Sequence, residues 1–421
     1  MPAPLHRSRP DFFSVRPASG EAHRINDFIW LSEGLSNSYL VVTPEGRVVI
    51  NTGMGFEAPV HKRNYDAVND GPVRYILLTQ GHVDHVGGVD LLHEPGTRIV
   101  AQANCAAHQT DDARIAAFRA RRSAFAFSDV IAEASAWIQQ NIGGPVPGQS
   151  KPEPTLTFEK QHAFELGGVR FELIATPGGE TTDSMVIWLP DHGICFTGNL
   201  FSALFGHFPN LVTIRGDRYR EAPRFVESLD RVAALEPEML LVGHHGPVEG
   251  KEVVRAELAR VRGAVLYVHD ETVRGMNEGK DVHTLMREIR LPPDLEVGQG
   301  YGTVPWSVRA IWETYAGWFH GRSTTELYDV PPWSVHPDLV ELAGGPEVVA
   351  ARARERLERG EAVEALHLAE AALAANARSR DALEAGRDAH RALEAQSENF
   401  WLTSWIRRRI AELERALENV S

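Results

Sequence analysis

An α/β catalytic region followed by an all-α region is the fold class that this 421-residue sequence predicts. Three observations carry that expectation. Short β-branched runs recur through the first 250 residues and end at loops bearing His and Gly. Beyond residue 251 the composition shifts to Ala, Glu, Leu and Arg at helical spacing. A single hydrophobic core also stops growing at roughly 250–300 residues, so a chain of this length divides.

Residues 1–24, with Pro and Arg, read as a loose arm. In 37–53, two β-branched runs flank a Pro-Glu-Gly turn and read as paired strands. The run RYILLTQ (74–80) reads as a buried strand delivering its C-terminal end to the polar loop 81–88. Residues 104–141 read as helix, and 143–154, with Gly-Gly and four prolines, as a loop. Strand patterns return in 155–180 and 184–199, a helix is expected over 218–236, and the strand MLLVG (239–243) ends at a second histidine loop. Residues 251–290 read as helix broken at 276–281, 291–336 are aromatic with Pro and Gly, and 347–418 read as an amphipathic helical bundle. The expected domains are therefore 1–250 and 251–421.

Charge narrows the function classes. A net charge of −14 repels phosphate backbones and anionic lipid, so nucleic acid and membrane are not expected partners. No apolar run approaches the ~20 residues of a membrane span, and the first residues hold no apolar signal-peptide core. Two cysteines, Cys105 and Cys195, form no disulfide framework. A cytoplasmic protein acting on a small molecule is the expectation.

The chemistry concentrates in Thr79-Gln80-Gly81-His82-Val83-Asp84-His85-Val86-Gly87-Gly88. Two imidazoles and a carboxylate within four residues, directly after a strand, can fold towards one point. Such donors suit zinc, iron or manganese, and a catalytic site keeps a position for water. The glycines permit tight turning and close backbone approach. This string resembles the His-x-His-x-Asp-His motif of the metallo-β-lactamase superfamily. The resemblance implies an αββα sandwich over residues 26–250, with a metal site at one edge whose water attacks esters and related bonds.

A closer resemblance, to the alkyl sulfatase subgroup, extends over nearly the whole chain. Residues 176–180 (TPGGE) are similar to its TP-x-x-E segment, and 210–216 (NLVTIRG) to its NLYTLRG segment. Residues 301–321 and the QSENFWLTSWIRRRIAELE stretch resemble its dimerisation region, which implies a homodimer. A third, lipid-carrier-like domain of that group is not expected here. The resemblance makes His82 and Glu180 ligands of a first metal, and Asp84 and His85 ligands of a second. The last ligand is His244 or His245, with the Gly-His pattern leaning to His244. It also makes Asn210 and Arg215 substrate-binding candidates, because a guanidinium fork matches sulfate, phosphate or carboxylate. Tyr301 and Trp306 join them. Trp306-Ser307 stands where the group usually shows His-Asn, so the head group can differ.

Three positions depart from the superfamily pattern: Gln80 replaces a histidine, Asn199 a bridging carboxylate and Asn51 a supporting aspartate. Bridging anions offset the repulsion between paired divalent ions, and imidazole is a better ligand than an amide. One firmly held divalent ion is therefore expected, zinc first and iron or manganese next, with the other site weakened. Asp84 is the catalytic candidate through that ion. His207, in a phenylalanine-rich loop, is a candidate acid or base. The expected activity is hydrolysis of a small organic substrate, a sulfate ester among the candidates. The alternatives are lactone, amide or ring hydrolysis, an elimination, or a silent binding protein.

Overall fold

The computed structural model describes residues 3–420, and two β-sheets account for the alternating runs. The first holds β1 (His23–Arg24), β2 (Ile29–Ser32), β3 (Ser38–Thr43), β4 (Gly46–Ile50), β5 (Val73–Leu77), β6 (Arg98–Gln102) and β7 (Leu156–Phe158), in that spatial order. Pairing is antiparallel from β1 to β4 and parallel from β4 to β7. Helices α1 (Ala58–Val68), α2 (Val83–Val86), α3 (Val89–Leu92), α4 (Cys105–Arg114) and α5 (Ala116–Asn141) intervene. The second sheet holds β8 (Gln161–Leu166), β9 (Val169–Ala175), β10 (Met185–Leu189), β11 (Ile194–Gly198), β12 (Met239–Val242) and β13 (Val248–Glu249). Helix α6 (Ala222–Ala233) joins the parallel pair β11 and β12.

Side chains on a strand alternate between faces, and here both faces are apolar. Tyr39, Val41, Val48 and Ile50 meet Phe171, Leu173, Met185, Ile187 and Phe196 in one core between the sheets. Leu40, Val49, Ile76 and Ile99 turn the other way, onto Tyr65 of α1 and Val89 and Leu92 of α3. Val186, Trp188, Cys195 and Leu240 likewise turn outward, onto Phe225, Val226 and Leu229 of α6. The result is a helix–sheet–sheet–helix sandwich, the expected αββα architecture.

Two expectations differ from the structure. The first compact unit runs to Thr314, not to residue 250. Helix α7 (Lys251–Asn277) carries Val254, Leu258, Val261, Val265 and Val268 at alternating four- and three-residue steps, and this stripe joins the outer core of the second sheet. Helices α8 (Val282–Glu288) and α9 (Val304–Ala316) extend the same core through Leu285, Val308 and Ile311. A composition change at 251 marks the end of the sheet, and the buried stripe keeps the helices with it. The second unit, from Tyr315, holds α10 (His336–Leu342), α11 (Pro346–Glu358), α12 (Ala362–Ala375), α13 (Arg380–Glu394) and α14 (Phe400–Glu418). Ala350, Ala353, Ala369, Ala372, Ala382 and Ala385 are fully or almost fully buried, and such small side chains let α11, α12 and α13 pack closely. No helix among the described residues is long and apolar enough to cross a membrane.

The amino-terminal arm is also bound rather than loose. Phe12 is buried, the Leu5 N–H donates to Glu257 Oε1 at 3.1 Å, and the Ala18 N–H donates to Glu57 Oε1 at 2.8 Å. Glu57, ahead of α1, gathers three segments, because its carboxylate also accepts the Leu35 N–H at 2.8 Å and the Met54 N–H at 3.2 Å. Burial pushes its carboxyl up from the ordinary 4.5 to about 7 in spite of those donors. A carboxyl raised in the folded state favours the fold while protonated, and that contribution disappears as pH rises from 4.5 through about 7. The melting temperature of the parent should therefore fall more steeply between about pH 5 and pH 8 than that of Glu57→Gln, whose amide oxygen keeps the Ala18 and Leu35 N–H groups. Equal slopes in a pH series of melting curves would refute this.

Candidate active site

The strand ends deliver the polar loops to one edge of the sandwich. Residues 78–82 follow β5, the Glu180 loop follows β9, Asn199 follows β11, and the histidine pair follows β12. His82 is the extended residue just before α2, and Asp84 and His85 lie within that single turn. The turn is clamped from behind: the His85 carbonyl accepts the Thr52 N–H at 2.8 Å and the Thr52 hydroxyl at 3.0 Å. The second glycine of the motif is required there, because a Cβ on Gly88 would stand 2.5 Å from the Thr52 carbonyl oxygen.

Asp84 and His85 are in contact, and His244 shares their electrostatic surroundings. His85 Nε2 lies 3.5 Å from Asp84 Oδ2 and has no hydrogen-bond partner among the described residues, while its Nδ1 faces Ser36 Oγ at 3.4 Å. Burial alone would raise the Asp84 carboxyl, but His85, His82 and His244 together hold it below its ordinary value. Burial lowers His244 to about 4, and its charged or titratable neighbours are Asp84, His85, His245 and Glu180. Neutral imidazoles with free ring nitrogens beside an ionised carboxylate are the donor set a first-row divalent cation takes. These residues fit the ion that the motif implies.

The structure separates the two consecutive histidines. Burial lowers His245 to about 4 as well, but its charged neighbours are Arg9 and Asp11 of the amino-terminal arm. His245 has a left-handed backbone, φ 63°, which turns it away from its predecessor. His245, a candidate ligand by sequence, thus sits outside the Asp84–His85 group. Phe12 of the arm packs edge-on to the His244 ring at 5.4 Å and against Tyr301 at 4.6 Å between centroids.

His82 and Glu180 are brought together, but in a different state from a simple ligand pair. Gln80 Nε2 lies 2.6 Å from His82 Nδ1 and donates to Glu180 Oε2 at 2.8 Å. Arg220 stands 3.2 Å from Glu180 Oε1. Burial would raise the Glu180 carboxyl, yet Arg220, then His82 and Gln80, hold it far below the usual carboxylate range. Arg220 was not singled out from sequence; its only signal there was an arginine five residues beyond Arg215.

Of the other altered positions, Asn51 uses its amide and Asn199 is close-packed with its Oδ1 unbonded among the described residues. Asn51 adopts φ 56°, a conformation asparagine tolerates, and its Oδ1 accepts the Thr79 N–H at 2.9 Å and the Thr79 hydroxyl at 3.1 Å. Asn199 Oδ1 is buried against Gly243, where a Cβ would approach it to 1.9 Å. Tyr301 and Arg215 share the electrostatic surroundings of Asp84 and Glu180. Asn210 is buried, with its backbone carbonyl held by Arg220. Trp306 is half-buried in the first turn of α9. His207 is placed differently from an acid or base beside Asp84: its Nδ1 accepts the Gly300 N–H at 2.9 Å, its ring faces His6 at 5.8 Å, and burial lowers it to about 4.

Residues 31–244 match the family model described as "Metallo-beta-lactamase superfamily". The chain belongs to the metallo-beta-lactamase superfamily. Residues 282–416 of this superfamily member match a second family model, "Alkyl sulfatase dimerisation". It is 28% identical over 396 residues to a linear primary-alkylsulfatase of a Pseudomonas species, covering 90% of this chain and 74% of that relative. It is 26% identical to the alkyl/aryl-sulfatase BDS1 of Saccharomyces cerevisiae over 80% of this chain and 55% of the relative. The solved structure of the inverting sec-alkylsulfatase Pisa1 from Pseudomonas sp. superimposes with a TM-score of 0.81 at 21% identity, over 94% of this chain and 66% of that one. The chain thus spans between about half and three quarters of these relatives, and the structural likeness is one of fold.

Removing the cation that neutralises Glu180 should be costly. Arg220→Ala leaves a buried carboxylate unpaired, and urea unfolding of the metal-free protein should show a loss of about 3–5 kcal/mol. A loss within about 0.5 kcal/mol, ordinary for a surface substitution, would show that Glu180 does not depend on Arg220.

Proposed function

We propose that this superfamily member is a metal-dependent hydrolase of a small organic substrate, with sulfate esters as the substrate class, working with one firmly held cation. The observation that carries the reading is the contact of Asp84 and His85, with His85 Nε2 open beside Asp84 Oδ2 at 3.5 Å and His244 in the same electrostatic surroundings. Bound there, a divalent ion of the zinc type, or iron or manganese, lowers the pKa of water towards about 7 and so supplies hydroxide at neutral pH. Asp84 and His85 would hold the ion, with Phe12 packed edge-on to the His244 ring. Arg215, with Asn210 and Tyr301, offers a cationic, hydrogen-bonding recess for an anionic head group, next to the ion-holding residues.

Sulfate esters are favoured because the alkylsulfatases are the relatives matching over most of the chain. That also disfavours lactone, amide or ring hydrolysis, elimination, and a silent binding protein. The first site is read as weak because Glu180 is already neutralised by Arg220 and occupied by Gln80. The buried free thiols Cys105 and Cys195 are in keeping with a cytoplasmic enzyme, which fractionation of cells would test.

Two outcomes follow. The purified protein should hold one tightly bound ion per chain. His85→Ala should lose it, and Asp84→Ala should lose sulfate release from dodecyl or secondary alkyl sulfate by at least the roughly 100-fold that even ligand-orienting residues can cost. Two tightly held, equivalent ions would overturn the one-ion reading, and no sulfate release at full loading would overturn the substrate class.

The second unit supports a homodimer. Trp318, Tyr328, Trp333, Leu339 and Leu342 are all more than half exposed, with Leu342 at 85%, within one stretch of the matched dimerisation region. Such a concentration of exposed large apolar side chains marks an interaction surface. Light scattering at micromolar concentration should give a dimer, and Trp333→Glu with Leu342→Glu should shift it to monomer. A monomeric parent would refute the assembly.

A further inference from the structure

Outside the Asp84–His85 group, a second set of donors converges on the opposite edge of the His82 ring. His108 and Asp112 lie one turn apart on α4, with His108 Nε2 3.7 Å from Asp112 Oδ2. The His82 and His108 rings sit 5.1 Å apart, and one ligand atom from each of His82, His108 and Asp112 lies within 4.8 Å of the others. Both Nε2 atoms, of His82 and of His108, are buried without a hydrogen-bond partner among the described residues. Orphaned imidazole nitrogens side by side are costly in a folded protein, and a shared cation satisfies both at once.

The surroundings are built for positive charge. Asp112 Oδ1 is held by Arg119 at 2.6 Å, and the same guanidinium reaches Asp217 Oδ1 at 2.8 Å. The second carboxylate oxygen of Asp112 is the one directed to His108. A ligating carboxylate steadied through its other oxygen is the usual outer support of a metal site. Asp183 and Asp217 add their negative charge at His108. Gly81 makes the approach of α4 to the motif loop feasible, since a Cβ there would already stand 3.2 Å from His108 Cδ2.

We propose that His82, His108 and Asp112 form a second divalent-cation site, displaced across the His82 ring from the position that Gln80, Glu180 and Arg220 close. His82 turns its Nδ1 towards Gln80 and the Glu180 carboxylate 3.7 Å away, and its Nε2 would face the ion. Two imidazoles and one carboxylate select a first-row cation such as zinc and leave room for water. The site sits under the substrate loop. Arg119 ties Asp112 to Asp217, and Arg122 donates to the Arg215 carbonyl at 3.0 Å, so an ion on α4 fixes the helix pair that holds the Arg215 loop.

The inference goes beyond the proposed hydrolase and stands or falls separately. Zinc binding to the full chain, measured by equilibrium dialysis with metal analysis, should show a tight site and a weaker one. His108→Ala and Asp112→Asn should each weaken the second site by about tenfold or more and leave the tight ion in place. His85→Ala should do the reverse. In crystals saturated with cobalt, anomalous scattering should peak among His82, His108 and Asp112. Unchanged zinc stoichiometry and affinity in both α4 variants would overturn the site. If those variants fail to fold, the cobalt map of the parent decides alone: no peak at these three residues overturns it, whatever the ion at Asp84 does.

Discussion

A carboxylate as buried as Glu180 must be neutralised by something, and in this protein Arg220 does it from 3.2 Å. Much of the site follows from that pair. With an effective dielectric of about 20, two unit charges about 4 Å apart interact by about 4 kcal/mol, and a divalent ion doubles the figure. A metal seated on Glu180 would face the Arg220 guanidinium at close range. The arginine and the ion are thus competitors for one anion, and the arginine is covalently part of the chain. Arg220 also holds the Asn210 carbonyl and stands 3.7 Å from Asp217, so the same side chain organises the loop that presents Arg215. The pair joins the Glu180 loop to the loop of Arg215 through one guanidinium.

The three neutral amides fit this arrangement better than they fit decay of a metal site. A carboxylate at position 199 would add a buried anion where Gly243 already packs closely against the side chain. An imidazole at position 80 would remove the amide that bridges His82 and Glu180. Asn51 accepts two hydrogen bonds from Thr79 in a left-handed conformation that suits asparagine. Each replacement is polar and packed, and the bonds of Gln80 and Asn51 involve residues of the motif loop itself. Loss of function leaves substitutions of arbitrary chemistry; here Gln80 and Asn51 have specific partners and Asn199 a close-packed place.

Sequence made the sandwich legible because its signals are local. Short β-branched and apolar runs in β3, β4, β9 and β10, and loops of His and Gly at strand ends, need no knowledge of what lies across the fold. The Asp84–His85 pair was legible for the same reason. What stayed hidden depends on distant segments meeting. Arg220 reaches Glu180 across 40 residues, His108 reaches His82 from another helix, and Phe12 reaches His244 from the arm. The unit boundary was misplaced because a change of composition at 251 is visible, whereas the destination of the α7 stripe is not. The Pro- and Arg-containing arm reads as loose because its anchors, Glu57 and Glu257, lie far along the chain.

The choice between two adjacent histidines illustrates how conformation decides chemistry that spacing leaves open. An ordinary backbone at His244 followed by the left-handed His245 sends the two rings to different surroundings. A non-glycine residue in that conformation costs of order 1–3 kcal/mol and persists only where neighbours over-determine it. Here they do. Asn37 Nδ2 donates to the His245 carbonyl at 2.7 Å, and Arg9 donates to the Gly246 carbonyl at 2.9 Å. The Asn37 N–H holds the Gly243 carbonyl at 2.7 Å on the other side. The loop is thus gripped by Asn37, just ahead of β3, and by the amino-terminal arm, and the left-handed His245 leaves His244 in the surroundings of Asp84 and His85. An arm that packs Phe12 on the same ring therefore helps to orient His244, and its apparent looseness in sequence is the consequence of having all its partners elsewhere in the chain.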